Sequence, residues 1–192
     1  MRTATYSDKK LIIDILSASF DSNISVNAIL PQDARRTSRI EALMAYAFEQ
    51  CYASGKIFIN HSDDGCALVL HSWQETTNLR SIWQSLQFVF RGPGLTMLPF
   101  ILTRQKTIKE KYPHSRYVYL WFIGVSPSQQ NQHKGAALLD TVIEHAAAVK
   151  HPILLETSMQ RNVNWYERSG FDLYHTIEAP HQLYFLKKDA VI

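Results

Sequence analysis

At 192 residues, 46% of them hydrophobic and 19% charged, the chain can bury a proper core within one domain, residues 1–192, without a disulfide or metal for stability. A formal charge of +3, scattered along the chain, argues against nucleic acid as a partner and suits a small anionic ligand. Cys51, Cys66 and the eight histidines show no metal-ligand spacing, so no metal is expected. Reduced thiols, no leader-like start and no apolar run long enough to span a bilayer point to a cytoplasmic protein without a membrane partner.

In chain order, Asp8 can cap a helix whose apolar residues Leu11, Ile12, Ile15, Leu16 and Phe20 recur at three- and four-residue spacing. Residues 21–32 are polar, end near Pro31 and read as a loop. A second amphipathic helix is predicted over 36–52, with Ile40, Leu43, Met44, Ala47, Phe48 and Cys51 on one side and Gly55 as its stop. The β-rich runs 56–60 and 66–73, divided by Ser62-Asp63-Asp64-Gly65, predict an antiparallel hairpin.

Residues 74–116 read as an inserted helical pair broken at Arg91-Gly92-Pro93-Gly94, with Ile82, Trp83, Leu86, Val89, Phe90, Leu98, Ile101 and Leu102 at helical spacing. Packing on the core is the plain reading of those residues; roofing a site or supporting a homodimer rather than a monomer is the other. A long buried strand follows at 117–125, then a turn at Ser126-Pro127, a glutamine-rich loop, and a helix opening at Gln132-His133-Lys134-Gly135-Ala136-Ala137. The strand at 153–157 is expected to run parallel to 117–125, because a helix crosses between them. A short helix over 162–169 closed by Gly170, and strands at 171–177 and 182–187 divided by Ala179-Pro180, complete an α/β domain.

A strand that feeds a turn and then a helix start presents free backbone N–H groups at the positive end of a helix dipole, a cradle for phosphate. A Rossmann dinucleotide site is disfavoured, because its glycine pattern is absent and the cradle lies in the C-terminal half.

The order strand, Gln132-x-x-Gly135-x-Ala137, helix, strand, then Tyr166-Glu167-Arg168-Ser169-Gly170-Phe171 resembles the acetyl-CoA-binding core of the GNAT N-acetyltransferases. Gly124-Val125-Ser126-Pro127, Leu155-Glu156-Thr157-Ser158 and Arg161-Asn162-Val163 are similar to the branch containing puromycin N-acetyltransferase. The resemblance implies a mixed, mostly antiparallel sheet flanked by helices, with strands 117–125 and 153–157 splayed into an acetyl-CoA cleft. Backbone groups of Ile123, Gly124 and Val125 are then expected along the pantetheine arm. Those of Gln132 and of His133, Lys134, Gly135, Ala136, Ala137 and Leu138 are expected around the pyrophosphate. The loop before Gly135 is two residues longer than the branch usually has, and His133 replaces a glycine.

Tyr166 is expected as the general acid for the leaving thiolate, against the plain reading of a packed aromatic. Asn162, one turn earlier, is expected at the cofactor or as a helix cap. Glu156, at the end of the second parallel strand, is the candidate general base, with a solvated strand-end carboxylate as the alternative. His71, Trp73, Tyr119 and Trp121 are acceptor-site candidates. The function expected is direct acetyl transfer from acetyl-CoA to a primary amine of a small molecule or peptide. A non-catalytic acyl-CoA-binding module acting through a protein partner is the alternative. Neither cysteine has a recognisable histidine partner, which disfavours a thiol nucleophile.

Overall fold

The computed structural model describes residues 1–74, 79–178 and 181–190, without the side chains of 79–82 and 86. Its strands are β1 (Arg2–Thr3), β2 (Gly55–Ile59), β3 (Gly65–His71), β4 (Val118–Val125), β5 (Ile153–Thr157), β6 (Asp172–Ile177) and β7 (Leu183–Lys188). They form one sheet in the order β1-β2-β3-β4-β5-β7-β6, antiparallel throughout except at β4–β5. The helices are α1 (Lys9–Ser19), α2 (Ile24–Ile29), α3 (Arg36–Ser54), α4 (Leu79–Arg91), α5 (Leu98–Lys109), α6 (Lys134–Val149) and α7 (Gln160–Arg168). None of them is long and apolar enough to cross a membrane.

Helices cover both faces, and the alternation of side chains along the strands assigns each residue to one of them. On one face Ile12 and Leu16 of α1 and Met44 and Phe48 of α3 pack with Leu68 and Phe122. On the other, Leu138, Leu139 and Val142 of α6 and Val163 and Tyr166 of α7 pack with Val69, Leu120 and Leu155. Covered on both sides, β3 is buried along its whole length, which is why it reads as a continuous apolar run.

The site is opened by a bulge in β4. Leu68 pairs with Phe122 and Val69 with Leu120, so Trp121 is the extra residue, and Trp121 and Phe122 both turn to the α1–α3 face. A bulge bends its strand and ends regular pairing. The parallel ladder with β5 accordingly holds only Val118↔Ile153 and Tyr119↔Leu154, and beyond Tyr119 the two strands part.

Several expectations need correcting. The loop at 21–32 contains α2, which Asn23 caps by accepting the Val26 N–H at 3.0 Å. Six residues with one buried side chain leave no periodic signal. Asp8 does stand at the N-cap position of α1, but its side chain makes no cap bond there: it closes a 3-10 turn over Tyr6–Asp8, where its carboxylate accepts the Thr5 N–H at 2.7 Å. In the inserted pair, Val89 and Ile101 are buried, but Trp83, Phe90 and Leu102 are exposed rather than core. The side chains of Ile82 and Leu86, and the Ala179-Pro180 divide, lie outside the described residues. Gly55 does stop α3, and it also starts β2 at once: a Cβ there would lie 2.0 Å from the Val69 carbonyl oxygen.

Candidate active site

Helix α6 starts at Lys134, after Asn131 and His133 turn the chain through left-handed conformations at φ +62° and +58°. Asparagine and histidine are among the side chains that tolerate this region, so His133 takes a conformation that glycine adopts without strain. The first bond closing the helix runs from the Ala137 N–H to the His133 carbonyl at 3.1 Å. The N–H groups of Lys134, Gly135 and Ala136 therefore have no carbonyl of their own helix to meet, and no acidic side chain occupies the first turn. A Cβ on Gly135 would meet only Trp165 of α7, at 3.8 Å, so the space beside this glycine is open. These features fit a phosphate-bearing ligand. The Ala137 N–H is spent within the helix, and the Leu138 side chain is fully buried in the core.

Lys134 is neither solvated nor free: its ammonium is paired with Asp64 in the β2–β3 turn and donates to Gln129 Oε1 at 2.8 Å. Burial pushes the Asp64 carboxyl up, but bonds from Lys134, Asn60 and Ser62 outweigh it and hold the group below the usual range. The lysine thus ties the start of α6 to the hairpin. Gly124 is taken up by packing, since a Cβ there would come within 3.0 Å of Leu16 and 3.1 Å of Ser19. The Val125 carbonyl accepts from Ser19 Oγ at 2.8 Å and Gln130 Nε2 at 3.1 Å. Ile123 lies past the last β4–β5 pair, where β5 gives its backbone no partner.

Tyr166, 5% exposed, packs with Val163 and Phe171 beside the parted strands, and its neighbour Trp165 reaches the α6 start. Burial raises its phenol well above the ordinary value. Asn162 does not cap α7, whose N-cap is Met159; its amide instead donates to Thr157 Oγ1 at 3.3 Å, tying the helix to the end of β5.

Across the gap, Glu156 points to the opposite face. Its Oε2 accepts the Tyr119 hydroxyl at 2.7 Å, while Oε1 is buried without a partner. Burial raises this carboxyl, against the phenols of Tyr112 and Tyr119 and the charge of Arg104, which lower it. Tyr112 packs edge-on to Tyr117 at 5.0 Å and tilted to Tyr119 at 6.0 Å. The Tyr174 hydroxyl is a second buried polar atom without a partner, and it feels the Glu156 charge. A carboxylate with free lone pairs inside a ring of phenols can accept a proton or an ammonium.

Residues 101–171 match the model of the acetyltransferase (GNAT) family. A Corynebacterium glutamicum protein described as histone acetyltransferase HPA2 and related acetyltransferase is 21% identical, with TM-score 0.71 over 100% of this chain and 96% of its own. Arylalkylamine N-acetyltransferase 2 from Aedes aegypti is 13% identical, with TM-score 0.64 over 99% and 98%. The C-terminal condensation domain of Ebony, solved with beta-alanyl-dopamine, is 12% identical, with TM-score 0.64 over 98% and 97%. The chain has the GNAT acetyltransferase fold. The family match supports acyl transfer as the reaction class, and acetyl-CoA is the donor this family generally uses.

Within this GNAT fold the candidates divide. Glu156 and Tyr119 are brought together, and Trp121 lies on the same face as Tyr119, 6.5 Å from its ring. His71 and Trp73 are not brought to them: they belong to the α6 face, where His71 Nε2 lies 2.8 Å from His145 Nε2 and its ring stacks on Trp73 at 4.7 Å. Gln74 Oε1 can only accept from His71 Nδ1, at 2.9 Å, so His145 supplies the proton between the two rings. Burial, then His71 and Lys56, push His145 down to about 4, so the His145 ring is neutral. Sequence reasoning missed Arg104, Tyr112 and Tyr174. The run of tyrosines at 112, 117 and 119 was a usable signal for two sides of the ring; nothing in the pattern placed Tyr174 or Arg104 there.

Proposed function

We propose that the protein is an N-acetyltransferase that moves the acetyl group of acetyl-CoA directly to a primary amine of a small molecule or peptide. The observation that carries this reading is the buried, half-satisfied carboxylate of Glu156, facing the gap where β4 and β5 part. Acetyl-CoA supplies an activated thioester. The Lys134, Gly135 and Ala136 N–H groups hold its pyrophosphate, and the backbone at Ile123 lies along its pantetheine arm. Glu156, raised by burial, takes a proton from the acceptor ammonium through Oε1, directly or by way of water. The freed nitrogen forms the C–N bond as the C–S bond breaks, and the surplus proton it then carries passes through water to the Tyr166 oxygen, which has given its own to the sulfur; the proton on Glu156 leaves to solvent. Tyr166, on the other side of the gap, gives its phenolic proton to the departing sulfur.

Kinship with the puromycin N-acetyltransferase branch is part of this proposal and rests on residues 124–127, 155–158 and 161–163. A second reading, a non-catalytic acyl-CoA-binding module docking a protein partner, is favoured by the exposed apolar side chains Trp83, Phe90, Leu95 and Leu102 of the inserted pair. Tyr166→Phe separates the two. An enzyme loses about 10²-fold or more in kcat while keeping its CoA affinity. Wild-type protein that binds acetyl-CoA but releases no thiol across a broad amine panel is the result that defeats the enzymatic reading.

A further inference from the structure

Arg104 stands one helical turn before Ile108 on α5, and Ile108 packs with Leu183 and Phe185. Phe185 is the ladder partner of Glu156. Residues four apart share a helix face, so α5 carries Arg104 over the same side of the sheet as Glu156. Among the described residues its guanidinium, with five donors, makes one long contact, to Ser25 Oγ at 3.4 Å. Ser25 Oγ in turn lies 2.9 Å from His181 Nε2. Among the described residues, no carboxylate pairs with Arg104.

One site thus contains a half-buried cation rim rich in donors and, at its other end, the unpartnered Glu156 Oε1 and Tyr174 hydroxyl. Among the described residues the two groups make no direct ion pair, although each would gain from a partner. A simple amine satisfies Glu156 and leaves Arg104 facing a second positive charge. An acceptor carrying both charges satisfies the two ends together, and opposite charges placed against complementary ones set orientation as well as affinity.

We propose that the acceptor is an amino acid-type zwitterion, its ammonium on Glu156 Oε1 and its carboxylate on Arg104, with Ser25 and His181 completing the carboxylate rim. The phenols of Tyr112 and Tyr119 pack against the body between. This rests on the acetyl-transfer reading and assigns Arg104 the choice of substrate rather than the chemistry.

The test uses the full chain and pairs of amino acids with their decarboxylated amines, such as phenylalanine with phenethylamine and lysine with cadaverine, across aromatic, aliphatic and basic side chains. Thiol release gives kcat/KM for each, and calorimetric titration gives affinity. In at least one pair the amino acid is expected to exceed its amine by about tenfold or more, the worth of one charge-assisted bond. Arg104→Met erases that preference, and Arg104→Lys restores part of it. Amines equal to or better than their amino acids in every pair, or an Arg104→Met that lowers both members alike, overturn the proposal. If no pair releases thiol, acetyl transfer fails, and titration alone decides: amino acid binding that weakens in Arg104→Met upholds the zwitterion site, and binding that is absent or insensitive to Arg104 overturns it.

Discussion

Replacing Glu156 by glutamine is expected to move activity and stability in opposite directions. The amide keeps an acceptor for the Tyr119 hydroxyl, 2.7 Å away in the parent, so the neutral bond costs only about 1 kcal/mol relative to the charge-assisted one. Against this, the substitution removes a buried carboxylate with an unpartnered oxygen, whose effective desolvation penalty is on the order of several kcal/mol. Burial raises the folded-state pKa of Glu156, so the parent is fully stable below the ordinary glutamate pKa and loses stability as pH rises through the raised folded value. The variant lacks that loss. A net gain of about 1–2 kcal/mol is expected at about pH 8, each kcal/mol worth about 2–4 °C in Tm for a chain of this size, shrinking to nothing at about pH 4. Meanwhile kcat/KM should fall by about 10²–10⁴, or about 3–5 kcal/mol of barrier. Thermal melts across pH and a thiol-release assay read both. A Tm that drops at about pH 8, a gain unchanged at about pH 4, or activity within about threefold of the parent would refute the reasoning.

Gly135→Ala tests the cradle: with only Trp165 at 3.8 Å the new methyl meets no clash, so Tm should hold or rise, alanine being favoured in helices by about 1 kcal/mol. Calorimetry should show CoA affinity weakened by about tenfold, because the methyl occupies the ligand's approach and costs a charge-assisted bond. Gly55→Ala tests the fold: its Cβ meets the Val69 carbonyl oxygen at 2.0 Å, and urea denaturation should show a loss of about 3 kcal/mol.

Local pattern carried the elements that repeat. The apolar spacing of α1 and α3 and the run of β5 were readable, and β5 falls at the expected 153–157. The elements that went unread, α2 and β1, are too short to show a period, and the Asp8 carboxylate was drawn away from the helix start by Thr5 and a bidentate contact from Arg2 at 2.8 Å. At the site, the places of Tyr166 on α7 and Gly135 at the start of α6 were legible because each stands in a contiguous strand-helix pattern. His71 and Trp73 were misplaced because a strand's side chains alternate between faces, and which face meets Glu156 depends on pairing with β4.

The sequence by itself determined the order of elements and the open helix start after the long strand, because strand-turn-helix geometry and helix polarity are properties of contiguous chain. Only the tertiary structure decided that Lys134 is committed to Asp64, that the Val125 carbonyl is occupied, and that the bulge at Trp121 parts β4 from β5. It also decided that Arg104, Tyr112, Tyr119 and Tyr174 surround one carboxylate. Those relations join residues from 52 positions before Glu156 to 18 after it, and side chains so far apart in the chain acquire a common environment only when sheet pairing and helix packing bring their faces together.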